Sequence, residues 1–176
     1  MTFLDFRSRL LPPCCCPAAR SPSSTQRSVK DLLVGVWTVL LVDGKKADGT
    51  QVPLFGPDPI GSLTFTANGR FSWQVMRTNN RPPFKSNNRD TGTADENKAT
   101  VQGTLSFFGT YTVDEAAKAI DVRIEGDSFP NSEGSRGRWV VAQINDDTLT
   151  YDVPIAETAI PGAAYTSIEN IWKKVK

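Results

Sequence analysis

From Ser28 onward the chain is built of short runs rich in β-branched, aromatic and aliphatic residues, separated by clusters of Gly, Asn, Asp and Pro. Apolar and polar positions alternate within the runs, which is the pattern of half-buried strands in an all-β domain. The spacing predicts eight strands, at about 36–42, 61–66, 70–77, 107–113, 119–125, 137–144, 148–153 and 165–173. Eight is the number that closes a barrel wide enough for one small ligand. Ahead of the first strand, Ser28 can N-cap a short helix running through Leu33, with Asp31 in the first turn, where the helix dipole favours an anion.

Thr66-Ala67-Asn68-Gly69-Arg70 is the clearest turn. Asn68-Gly69 suits either a two-residue type I′ turn or a type I turn with Gly69 as a G1 bulge. The two-residue loop sets Thr64 beside Phe71 and Trp73, whereas the bulged loop gathers Leu63, Phe65, Phe71, Trp73 and Val75 on one face. A consistent apolar face favours the bulge, because a one-residue slip turns every side chain over. Ser62, Thr64, Ser72 and Gln74 then face solvent. The connection at 78–106 exceeds the ~12 to 15 residues of ordinary loops. Thr93-Ala94-Asp95-Glu96 has the form of a capping box, so residues 94–104 read as a lid helix across a barrel end. Asn87, Asn88, Thr100 and Gly103 are poor helix formers and keep a solvated loop as the alternative.

A chain of 176 residues fits one domain plus a tail. No apolar run approaches the ~20 residues that cross a bilayer, so no membrane span is expected. The net charge of +1 is uneven: residues 1–30 hold five basic side chains against Asp5, which leaves −3 on the remainder. A slightly acidic body lacks the basic stripe that phosphate backbones require, which excludes nucleic acid as a partner. Residues 1–27, rich in Pro, Ser, Cys and Arg, are expected to be a disordered tail, and 28–176 the folded domain. Pro12, Pro13 and Pro17 break the only candidate secretory segment, so the expected compartment is the cytoplasm. An organelle transit segment, palmitoylation at Cys14 to Cys16, and an inert tail remain as alternatives.

All three cysteines lie in that tail, and the chain has no histidine. That removes disulfides from the body along with the usual general base and the commonest metal ligand. There is no phosphate loop, no Gly-x-Ser-x-Gly elbow and no readable carboxylate pair, so neither metal nor cofactor is expected.

Gly35-Val36-Trp37 opens the first strand and Trp172-Lys173-Lys174 closes the last. Between them come Ala47-Asp48-Gly49-Thr50, Phe55-Gly56-Pro57-Asp58-Pro59, Asn68-Gly69-Arg70, Phe108-Gly109-Thr110-Tyr111-Thr112-Val113-Asp114 and Glu125-Gly126-Asp127-Ser128-Phe129-Pro130-Asn131. In this order, over about residues 32–174, they resemble the lipocalin-like domain family of bacterial and fungal proteins. The resemblance implies an eight-stranded antiparallel up-and-down barrel of the calycin type, enclosing a cavity for an apolar small molecule. In lipocalins a basic side chain from the final strand packs over the Gly-x-Trp tryptophan, so Gly35, Trp37, Trp172 and Lys173 are expected at the barrel base. Cation–π attraction and an apolar seal are the physical reasons. The family often carries a His-His pair where this chain has Val122 and Arg123. Some fungal members resemble enzymes that steer cyclisation or pericyclic closure of polyketide-derived intermediates, which would place this chain in secondary metabolism.

The expected ligand-binding residues are Leu63, Phe65, Phe71, Trp73, Val75, Tyr111, Val122, Arg138 and Tyr151. Trp73 either walls the cavity or packs in the core. The hydroxyls of Tyr111 and Tyr151 need partners, either a ligand oxygen or a backbone carbonyl. Arg138 enters the barrel mouth if it shares the inner face with Val140, Ala142 and Ile144, and turns outward if Trp139 and Val141 hold that face. Two functions follow. The chain is a binding barrel for an apolar metabolite, or a cofactor-free isomerase or cyclase in which Tyr111 and Arg138 serve as catalytic donors.

Overall fold

The computed structural model describes residues 27–155 and 164–176. The expected tail lies outside the described residues except for Arg27, and so do the three cysteines. Helix α1 (Val29–Leu33) begins with a capping box in which Ser28 Oγ accepts from the Asp31 amide at 3.1 Å. The carboxylate of Glu115 accepts from the amides of Val29 and Lys30 at 2.9 and 3.0 Å, tying the helix across one end of the sheet.

The strands are β1 (Gly35–Lys45), β2 (Gln51–Pro53), β3 (Ile60–Phe65), β4 (Arg70–Met76), β5 (Thr104–Asp114), β6 (Ala119–Asp127), β7 (Arg136–Ile144), β8 (Thr148–Pro154) and β9 (Ser167–Lys174). From β3 to β9 each strand pairs antiparallel with the next, and β9 returns to β1 and closes the barrel. Eight strands make the closed barrel. β2, which the alternation did not reveal, is a three-residue strand paired with the far end of β1, beyond the stretch of β1 that β3 covers. The β3–β4 hairpin has the bulged register: Phe65 pairs with Phe71 and Leu63 with Trp73, the Thr66 amide donates to the Arg70 carbonyl at 2.9 Å, and Gly69 takes φ +84°.

Trp37, fully buried, closes the base. Its Nε1 donates to the Leu33 carbonyl at 2.8 Å, and the Lys174 ammonium lies 4.8 Å from its ring centroid while donating to the Leu32 carbonyl at 2.6 Å. The covering cation is thus Lys174, and the expectation for Lys173 is corrected. Trp172 points inward, so two-residue alternation sends Lys173 to solvent and brings Lys174 back to the core face. Gly35 adopts φ +135°, a conformation that favours glycine, and Lys174 Cε, 3.0 Å from where a Cβ would stand, would have to shift for any other residue. Trp172 sits one layer higher, opposite Val39 and Leu149.

At the other end the 77–103 connection contains helix α2 (Ala94–Gln102), as the capping box predicted. Its only buried residue is Glu96, and Val101 is 73% exposed, so the lid is held by its cap more than by apolar packing. Glu96 accepts from the amides of Lys85 and Thr93 at 2.9 and 2.8 Å. These bonds, Lys85's first, hold its carboxyl below the ordinary 4.5. A depressed folded-state value means that the stabilisation is complete above the unfolded value and is lost as pH falls through the folded one. Amide exchange across 94–102 should therefore accelerate below pH 4.5 relative to the barrel strands, and Glu96→Gln, which keeps the acceptor without titrating, should flatten that response. Equal acceleration in lid and strands would show that Glu96 does not hold the helix.

Candidate functional site

Side chains fill the barrel unevenly. In the half nearest α1, Phe65 meets Tyr111 edge-on at 4.9 Å, and Phe71 meets Trp139 edge-on at 5.4 Å. These rings leave no room. Towards the α2 end, the inward positions include Val42, Val122 and Gly137, and a cavity of about 410 Å³ opens. Two stacked aromatic pairs form much of its wall: Trp73 on Phe107, 4.9 Å apart and 17° from parallel, and Trp139 on Tyr151, 4.8 Å apart and 7° from parallel. Phe55 closes one side from the loop after β2, 6.1 Å from Trp73. Arg77 holds that loop by donating to the Leu54 carbonyl at 2.7 Å. Gln102 of the lid, Ser135 and Arg136 stand at the rim.

Few polar atoms reach the interior. The Tyr151 hydroxyl oxygen accepts from Trp73 Nε1 at 3.1 Å. Burial pushes its pKa far above the ordinary tyrosine value, against a smaller opposing effect of the Trp73 and Trp172 indoles, so Tyr151 is a neutral phenol at any working pH. Asn170, 2% exposed, lines the wall beside it and donates through Nδ2 to the Ile168 carbonyl at 3.2 Å. Among the described residues no group of three or more His, Cys, Asp or Glu is placed to hold a metal ion. No described helix is long and apolar enough to cross a membrane.

The sequence model of the lipocalin-like domain matches residues 34–175. The chain belongs to the lipocalin-like domain family. Similar solved structures include a lipocalin-like protein from Bacteroides uniformis, 17% identical, covering 82% of this chain and 99% of its own, with a TM-score of 0.44. A redesigned β-barrel is 13% identical and covers 84% of this chain and 94% of its own, with a TM-score of 0.39. No curated protein matches the chain.

Of the residues expected at the ligand site, this lipocalin-like barrel brings Trp73, Val122 and Tyr151 to the cavity. Leu63, Phe65, Phe71 and Val75 do face inward, but they are packed into the core and do not line the cavity. Tyr111 is spent on the fold: its hydroxyl donates to the Thr66 carbonyl at 2.8 Å, bracing the β3–β4 turn. Arg138 is corrected to the outer surface, where it pairs with Asp114 at 2.6 Å and Asp121 at 3.4 Å. Trp139 and Val141 hold the inner parity of β7, so the guanidinium has no path inward. Sequence reasoning missed Phe55, Phe107 and Asn170 as lining residues. Asn170 did leave a signal, a polar residue between Ile168 and Trp172 at the inward positions of β9.

Proposed function

We propose that this lipocalin-like protein binds an apolar small molecule in the α2 half of its barrel, as a carrier or sequestering protein. The observation that carries this reading is the cavity of about 410 Å³ between the Trp73–Phe107 and Trp139–Tyr151 stacks. That volume lies within the ~300 to 1,000 Å³ of small-molecule sites, and aromatic walls favour a flat, unsaturated occupant. Burial at ~25 cal/mol per Å² of apolar surface supplies affinity without chemistry. The cyclase reading asked Tyr111 and Arg138 to polarise a bound oxygen, and both side chains are engaged outside the cavity. Binding is therefore the reading that the geometry supports best.

Titration with 1-aminoanthracene, whose emission rises in apolar surroundings, tests it directly. Trp73→Ala, which removes a wall, should weaken binding about ten-fold or more, whereas Gln74→Ala on the opposite face of β4 should change little. Loss of binding in Gln74→Ala with retention in Trp73→Ala would put the site on the outside of the sheet and overturn the reading.

A further inference from the structure

We propose that Tyr151 and Asn170 form a polar anchor in the cavity wall, which selects molecules carrying a hydroxyl, as in a phenol or an enol, at one end of an apolar frame. The inference rests on the cavity reading above and adds to it the class of ligand. Tyr151 on β8 and Asn170 on β9 stand directly opposite each other in the ladder. Cross-strand partners on one face hold their Cβ atoms ~4.5 to 5.5 Å apart, so both side chains belong to the same stretch of the cavity wall.

Their hydrogen-bonding capacity is partly used, and the remainder is complementary. The Tyr151 oxygen takes the Trp73 indole proton, and among the described residues its own proton has no acceptor. The Asn170 amide is oriented by the Ile168 carbonyl, which can only accept and takes one of the two Nδ2 protons, so the second Nδ2 proton and Oδ1 are left without a partner among the described residues. Polar groups in an apolar wall are costly unless paired, and a leucine at position 170 would fill the strand without that cost. The wall thus offers a donor from Tyr151 and, from Asn170, an acceptor together with a second donor. A ligand hydroxyl answers both side chains, with its oxygen accepting the Tyr151 proton and its own proton going to Asn170 Oδ1. A bare hydrocarbon answers neither, and an ether answers only a donor.

The test compares naphthalene, 2-methoxynaphthalene and 2-naphthol, which share one frame, by competition against bound 1-aminoanthracene. The expected order is 2-naphthol tightest, the methyl ether intermediate and naphthalene weakest. Two modest hydrogen bonds correspond to about ten-fold or more between the extremes. Asn170→Leu should erase the advantage of the hydroxyl over the ether. Tyr151→Phe should reduce the advantage of the ether over the hydrocarbon. Equal affinity for all three compounds in the unaltered protein overturns the anchor and leaves the cavity reading standing. Failure of all three to displace the fluorophore overturns both. The unaltered protein alone decides whether a hydroxyl is selected, so the proposal stays falsifiable even where a variant does not fold.

Discussion

Replacing Trp37 with alanine should destabilise the barrel by ~3 to 5 kcal/mol, the cost of truncating a fully buried aromatic side chain. For a domain of this size that is a fall in Tm of about 6 to 20 °C, and poor soluble expression is the expected practical sign. Three interactions would be lost together: packing beneath Trp172, the indole bond to the Leu33 carbonyl and the face on which Lys174 rests. The bond to Leu33 matters because it fastens α1, which has only five residues and could not persist alone in water. Lys174→Met separates the contributions, since it keeps a long apolar side chain over Gly35 and removes only the charge and the bond to the Leu32 carbonyl. Its cost should be smaller than that of Trp37→Ala, because it leaves the indole packed and removes only a cation–π contact of ~0.5 to 2 kcal/mol and one hydrogen bond. Urea unfolding of both variants gives the comparison. Unchanged stability in Trp37→Ala would mean that the base does not close the barrel.

Leu105→Trp should abolish ligand binding without harming the fold. Leu105 is half-buried and lines the cavity from the start of β5, so a larger side chain can grow into empty space and not into packed neighbours. Overpacking costs arise where no void exists; here added apolar surface fills one, and stability should hold or rise by ~0.5 to 2 kcal/mol. Affinity for 1-aminoanthracene should fall by at least about ten-fold, since the occupant loses the volume it needs. Phe108→Trp is the matching control, because Phe108 points outward and is 49% exposed. Retained affinity in Leu105→Trp would show that the ligand lies elsewhere.

Local chemistry made much of the architecture readable in advance. Ser28 and Thr93 announce helix starts because a side-chain oxygen satisfies amides that the first turn leaves unpaired. Asn68-Gly69 announces its hairpin because glycine readily adopts positive φ. β2 escaped notice because three residues carry no period, and their pairing exists only where β1 runs on past β3. The Arg138 ambiguity had a physical root: β7 carries apolar residues at both parities, and its register against β8 shifts between Val141 and Gln143, so alternation alone does not name the inner face.

Alternation along β3 and β4 determined that Phe65, Phe71 and Trp73 share the inner face, and the Gly-x-Trp start determined which end is sealed. Depth along the barrel axis was decided only in three dimensions. It depends on how far each strand is staggered against the next, including the shift at Leu40, after which Val42 takes the inward place that simple alternation would have given to Leu41. Two residues on the same face can therefore have different fates, Phe65 packed near the base and Trp73 beside a void. The same stagger set Tyr151 opposite Asn170 and left Tyr111 within reach of the Thr66 carbonyl. A single strand records which way a side chain points, and the partner it meets is written jointly by strands that are distant in sequence.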